Sequence, residues 1–293
     1  MVPNPEPTAE TGPKLLEYAT WLEANWMIIS TYAAFILLIL LCVLFRGSVQ
    51  EKLANHSFVA WLVVVAYMVH QTEEHYYDLR GWRYAFVPDF NHGLGKLLFP
   101  LCDDISHLTC PVNTALGMYI NVFFVWLSFP LTILVSNVLG GKSFIAGYLN
   151  WGFAVANGLM GHIVPMTLTQ EYNPGVFQSL VMVPLGIWLI VRRFEAKFLP
   201  VRILNGIIAH IIFAAVGINI IFHLGAAEET EILWCIVAGF VQPLLIVAIT
   251  GDVLQKMLRS ESCDSKTVSL LWRAGLMPSV GKRSCSLGRR PMF

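Results

Sequence analysis

Two histidines and two adjacent carboxylates occur together in the run Met68-Val-His-Gln-Thr-Glu-Glu-His75. The run follows an apolar stretch, 58–69, whose composition predicts part of a transmembrane helix. Ionisable residues at membrane depth are costly, so they usually mark function. On a helix, an imidazole, two carboxylates and a phenol fall on one face at positions i, i+3, i+4 and i+7, namely His70, Glu73, Glu74 and Tyr77. This face is the candidate active site.

The spacing on this face suits a metal ion. His70 and Glu74 can bind one ion or hold one proton between them, and Glu73 adds a second carboxylate. His162 and His223 are the predicted ligands from neighbouring helices. Such a set suits zinc, or non-haem iron with open positions for substrate or oxygen. The Glu-x-x-His pairs of four-helix di-iron proteins are absent, which weakens the case for a di-metal centre.

The same residues allow two other functions. A carboxylic acid in a low-dielectric pocket has a raised pKa and can protonate an olefin or an epoxide, while a neighbouring histidine accepts a proton. Glu73 or Glu74 would then be the acid of a cofactor-free isomerase or a terpene-cyclase-like membrane enzyme. In a transport, binding or scaffold protein, the His/Glu pairs would only satisfy one another as a polar network.

Composition assigns these residues to a membrane protein. Hydrophobic residues make up 56% of the chain and charged residues 13%, against roughly 25% charged in an ordinary soluble domain. At about 20 apolar residues per span, the sequence predicts an all-α bundle of seven transmembrane helices at 24–45, 58–79, 112–139, 144–165, 176–192, 203–224 and 232–254. The expected partners are membrane lipid and a hydrophobic small-molecule substrate. The net charge of +0 gives no indication of nucleic acid.

The distribution of Lys and Arg predicts the orientation. Basic residues favour the cytoplasmic loops, and they occur in alternate connections and in the last segment of the chain. The N-terminus is therefore expected outside and the C-terminus inside. Three parts follow: a non-cytoplasmic segment at 1–23, a transmembrane domain at 24–254 and a basic, disordered cytoplasmic tail at 255–293. Such a multi-pass protein would reside in the endoplasmic reticulum or the plasma membrane.

The alternation of spans also predicts which polar residues meet. The second, fourth and sixth spans run in the same direction, and each carries a polar cluster near its C-terminal end. The clusters must then lie on one side of the membrane. At about 1.5 Å per residue, four residues from the second and fourth spans reach a similar depth: His70, Glu74, Asn157 and His162.

The chain resembles the HXXEE-motif family of integral membrane proteins over about residues 24–252. His70-Gln71-Thr72-Glu73-Glu74 matches the motif, Asn157 with His162 matches an Asn/His pair, and Tyr172-Asn173-Pro174-Gly175 matches a Tyr-x-Pro-Gly turn. The pair is five residues apart here, whereas the family pair is about one turn apart. The resemblance implies a multi-span protein suspected of being an enzyme. The predicted catalytic residues are Glu73, Glu74, Asn157 and Tyr172, which can cap the pocket and donate its hydroxyl.

Overall fold

The computed structural model describes residues 7–95, 112–139, 149–193, 230 and 232–241. All of them belong to one unit of the chain, which ends at Asp252. They are mostly helical, and the only β-pairing in these ranges is one bridge between Tyr77 and Arg83. The predicted all-α class is confirmed for this part. The sixth predicted span with His223, and the tail at 255–293, lie outside the described residues.

The helices follow one another with short connections. They are α1 Thr11–Leu16, α2 Trp21–Leu44, α3 Val49–Ala54, α4 His56–His75 and α5 Phe86–Phe90, which runs into a π-helical turn at Asn91–Gly95. Helix α6 comprises Thr114–Tyr119, the π-helical Ile120–Val125, and Trp126–Leu139. Helix α7 comprises the π-helical Leu149–Ile163 and then Val164–Thr169, α8 is Val176–Arg193, and α9 is Ile232–Val241.

Two helices in the described ranges are long and apolar enough to cross a membrane, Trp21–Leu44 and Thr114–Leu134. Val176–Trp188 and Ile232–Val241 are apolar but shorter. The structure thus shows two candidate spans, and the number of seven and the orientation stay predictions. The predicted second span is a helix of 20 residues, and the polar groups near its C-terminal end lower its hydropathy.

Helices α2 and α4 form an antiparallel pair that supports the candidate site. Side chains cap both N-termini: Thr20 forms a capping box with Glu23, and Asn55 accepts from the first backbone N–H groups of α4. Along the pair, the Phe45 and Phe58 rings are 5.4 Å apart at one end. The apolar face of α4 is buried between α2, α6 and α8. The pair therefore holds the C-terminal turns of α4 in a fixed position.

Helix α4 ends at His75, four residues before the predicted end of the span. The chain then turns back, because Asp78 Oδ1 accepts from the backbone N–H groups of Arg80 and Trp82, each at 2.9 Å. Tyr77 lies beyond the helix and is 49% exposed. The prediction that Tyr77 shares a face with the histidine and the carboxylates is therefore wrong.

Candidate metal centre

Three side chains from two helices converge at the end of α4. His70 Nε2 is 3.2 Å from His162 Nε2, and Glu74 Oε1 is 3.4 Å from each of these nitrogens. All three residues are at most 5% exposed. No other group of three His, Cys, Asp or Glu residues in the described ranges meets in this way. The structure thus brings together three of the predicted ligands, and the fourth, His223, lies outside those ranges.

The triangle has the dimensions of a metal-ligand set. Tetrahedral ligands at a zinc–nitrogen distance of about 2.0–2.1 Å stand about 3.3 Å apart. The three separations of 3.2, 3.4 and 3.4 Å agree with that value. Two imidazoles with one carboxylate also form the ligand set of catalytic zinc sites and of non-haem iron oxygenases. Both metals predicted from the sequence fit this donor set.

Hydrogen bonds behind His162 fix its tautomer. Its Nδ1 lies 2.7 Å from Asn173 Oδ1, and the backbone carbonyl of Pro174 is a second acceptor. Because both neighbours are oxygen acceptors, Nδ1 carries the proton and Nε2 presents its lone pair to the triangle. Metal-binding histidines are commonly held in this way, by an acceptor on the ring nitrogen that does not touch the metal.

His70 decides between a metal ion and a hydrogen-bonded network. Its Nδ1 is buried and has no hydrogen-bond partner within the described part of the chain. A proton on Nε2 would serve one neighbouring acceptor and leave His162 Nε2 and Glu74 Oε1 facing each other at 3.4 Å. A cation at the centre of the triangle would instead receive an electron pair from all three atoms. The donor set therefore favours a metal ion.

The second oxygen of Glu74 faces a separate polar group. Gln71 Nε2 donates to Glu74 Oε2 at 3.0 Å, and His75 Nε2 lies 3.8 Å from the same oxygen. Asn121 Nδ2 donates to the Gly117 carbonyl at 2.9 Å, so it also faces His75 Nε2, 3.3 Å away, as a donor. These contacts orient the carboxylate so that only Oε1 points at the two imidazoles.

Glu73 points away from the triangle and caps helix α8. Its carboxylate accepts from the Tyr172 hydroxyl and from the backbone N–H groups of Phe177 and Gln178, the latter two at 3.0 and 2.9 Å. A carboxylate at a helix N-terminus satisfies unpaired N–H groups and interacts favourably with the helix dipole. Burial and the contact with Glu73 raise the pKa of Tyr172, so this hydroxyl stays a donor. Both predicted catalytic residues thus make structural contacts.

The turn at 172–175 closes the centre from the side of α8. Tyr172 contacts Glu73, Asn173 holds His162, and Gly175 lies against both imidazoles. A Cβ on Gly175 would stand 2.6 Å from His70 Cε1 and 2.8 Å from His162 Cε1, and its φ of +95° favours glycine. The turn is therefore built around the triangle, beyond its role of connecting two helices.

The sequence comparison agrees with this arrangement. Residues 61–189 match the family described as "Protein of unknown function with HXXEE motif". This part of the chain belongs to the HXXEE family. The match begins in α4, ends in α8 and includes the triangle and the turn, which confirms the recognition and shortens its extent from 24–252. No curated protein and no solved structure matches the chain.

The HXXEE motif divides its labour within five residues. Its histidine and second glutamate, His70 and Glu74, form two corners of the triangle, while its first glutamate caps α8. Asn157 is half-buried on the π-helical part of α7, one i→i+5 step before His162. The five-residue interval is thus about one turn of this helix, although Asn157 is not part of the triangle.

Sequence reasoning missed the residues that surround the triangle. Asn173 and Gly175 belong to the HXXEE turn and were read only as turn-formers, although their place in the family pattern was a signal for the site. Gln71 lies inside the motif at the position i−3 from Glu74, so its contact could have been predicted from helix geometry. The contact of His75 with Asn121 joins distant segments, and no local pattern predicts it.

Proposed function

We propose that this chain is a multi-span membrane enzyme that binds one divalent metal ion, zinc or iron, through His70, Glu74 and His162. Its substrate would be hydrophobic or lipid-like, and its location the endoplasmic reticulum or the plasma membrane. The observation that carries the proposal is the buried triangle of three electron-pair donors, with the His162 tautomer already set for metal binding. A purely structural network would have paired these atoms with donors.

Each residue has a defined part in this proposal. The two imidazoles and Glu74 Oε1 would hold the ion, which when bound supplies Lewis acidity and lowers the pKa of a bound water. Gln71 holds Glu74 through Oε2, so that one carboxylate oxygen stays directed at the centre. Asn173 keeps the proton of His162 on Nδ1. The positions left open by three ligands would receive water or substrate.

A hydrophobic substrate follows from the surroundings of the centre. Helix α2 packs on α4 and is apolar over its whole length, with a mean hydropathy of 2.7 in its most apolar window. A site framed by such helices is reached most readily from the bilayer. The membrane-exposed side chains of α2 would then contact the same lipids from which the substrate is taken.

Metal analysis of the detergent-purified protein tests the proposal. The wild type is expected to contain zinc or iron in a fixed ratio to protein, because its three ligands are already in place. His70→Ala and His162→Ala should lose the ion, since losing one of three ligands is seldom compensated. Asn157→Ala, on the same helix as His162 but outside the triangle, is the matched control and should keep the ion. Equal metal content in all four proteins would refute the assigned ligands.

A further inference from the structure

The contacts between α2 and α4 give the depth of the metal centre. Ser30 Oγ donates to the Met68 carbonyl at 3.0 Å, and the rings of Trp26 and His75 are 5.0 Å apart. The triangle residues of α4 lie between Met68 and His75 along the helix, so the centre is level with the segment of α2 from Trp26 to Ser30. This segment is only four residues long, about 6 Å.

The sequence of α2 locates the edge of the hydrocarbon layer. From Trp26 to Leu44, 19 consecutive residues carry no charged or amide side chain. At about 1.5 Å per residue they extend over about 28 Å, close to the thickness of about 30 Å of a hydrocarbon core. Glu23 and Asn25 precede this stretch, and Arg46 follows it. One edge of the layer therefore lies near Trp26.

Exposure along α2 agrees with this assignment. Only 22% of its most apolar window is buried inside the protein. Its outward face consists of large apolar side chains that are all at least 46% exposed: Ile29, Tyr32, Phe35, Ile36, Ile39, Leu40, Val43 and Leu44. Beyond the Trp26 edge, Tyr18 and Trp21 are 77% and 72% exposed. Aromatic side chains are typical of the membrane–water interface.

We infer that the centre acts on the head-group end of an amphipathic lipid, an inference that rests on the proposed function. The centre lies within about 6 Å of the edge near Trp26, whereas the midplane of the layer, about 15 Å deep, falls near Phe35. A lipid in the bilayer presents its polar group and first carbons at this depth. The bond that reacts is therefore next to the polar group, and bonds near the end of an acyl chain lie out of reach.

Copper substitution tests the depth directly. Cu²⁺ binds to nitrogen and oxygen ligands more tightly than the other divalent ions of its row, and as a paramagnetic ion it speeds the relaxation of a nearby nitroxide. The copper-loaded protein is reconstituted with phosphatidylcholine that carries a nitroxide at carbon 5 or at carbon 16. The relaxation enhancement should be larger for carbon 5 and should disappear in His162→Ala. An equal or larger effect on carbon 16 would overturn the inference.

A second measurement needs no metal. Nitroxides at position 29 and at position 36 of α2, in a background with the six cysteines replaced, report depth through the ratio of oxygen to nickel-chelate collisions. Position 29 should be shallow and position 36 close to the midplane. A deep position 29 in a protein that binds copper would overturn the inference and leave the metal centre in place. A shallow position 29 in a protein that binds no copper would refute the proposed function and this inference with it.

Discussion

Glu73 and Glu74 are adjacent and similarly buried, at 3% and 5% exposure, but their surroundings differ. Around Glu73, every neighbour is a donor: a phenol and two backbone N–H groups. Around Glu74 Oε1, the neighbours are two imidazole nitrogens, one of which presents a lone pair. The first carboxylate is complete without a ligand, whereas the second faces atoms that only a cation can serve together. The surroundings of a buried carboxylate, more than its burial, separate a helix cap from a metal ligand.

The turn at 172–175 connects these two regions, so Gly175→Ala should have the largest effect. The new Cβ would press on both imidazoles, and its positive φ would add about 1–3 kcal/mol of strain. We expect metal affinity to fall by more than about 100-fold, which corresponds to about 2.7 kcal/mol. The measurement is a metal titration of the purified protein.

Gly81→Ala provides the matched control for this substitution. Gly81 also has a positive φ, +76°, but a Cβ there would meet no atom within 4 Å. It adds backbone strain without touching an imidazole, so metal affinity should be unchanged. A similar loss of affinity in both variants would mean that general destabilisation, and not contact with the histidines, disrupts the centre.

Asn173→Ala tests the centre alone. Without the side-chain oxygen of Asn173, His162 Nδ1 keeps only the Pro174 carbonyl as an acceptor, and the ring is held less firmly. Loss of such a supporting contact typically lowers metal affinity by about 10–100-fold. Asn157→Ala removes an amide of the same type from outside the triangle and should leave affinity unchanged. The comparison fails if Asn157→Ala has the stronger effect.

Glu73→Gln tests the helix cap alone. An amide nitrogen would face one of the N–H groups that the carboxylate now accepts from, so the cap of α8 is weakened. We expect the free energy of unfolding to fall by about 1–3 kcal/mol, measured by thermal or chemical denaturation in detergent. Metal stoichiometry should stay that of the wild type. A variant of normal stability that binds no metal would reverse the roles given to the two glutamates.

The smallest expected effect is at Asp89, at the outer end of the cap region. Its carboxylate pairs with Arg80 at 3.3 Å, and the Arg80 guanidinium lies 4.9 Å from the Tyr172 ring. Burial raises the pKa of Asp89 to about 6 despite this pairing. The folded state therefore binds this proton more tightly than the unfolded state does. The resulting stabilisation is complete below about pH 4 and is lost as the pH rises through about 6.

Hydrogen exchange of α5 measures this dependence. After correction for the intrinsic exchange rate, protection should decrease by less than about 3 kcal/mol between pH 4 and pH 7. Asp89→Asn cannot titrate, so its protection should not change over this interval. An identical pH dependence in the wild type and in Asp89→Asn would assign the effect to another group.

Helix periodicity allowed part of the centre to be predicted from the sequence. The i, i+4 spacing of His70 and Glu74 and the parallel direction of the second and fourth spans were sufficient to bring His162 into the same site. The role of Glu73 could not be predicted, because its partners lie about 100 residues away and are determined by how α8 packs. The early end of α4 depends on hydrogen bonds of Asp78 within a tight turn, which a hydropathy pattern does not contain.

The most direct test of the central claim is the metal content of a matched pair, Glu73→Gln and Glu74→Gln, beside the wild type. Both substitutions exchange the same atoms at adjacent buried positions, so they differ only in which carboxylate is lost. We predict about one zinc or iron ion per chain in the wild type and in Glu73→Gln, and almost none in Glu74→Gln, because an amide is a much weaker ligand than a carboxylate. A Glu74→Gln protein with the metal content of the wild type, or a wild type that binds no metal, would contradict the account.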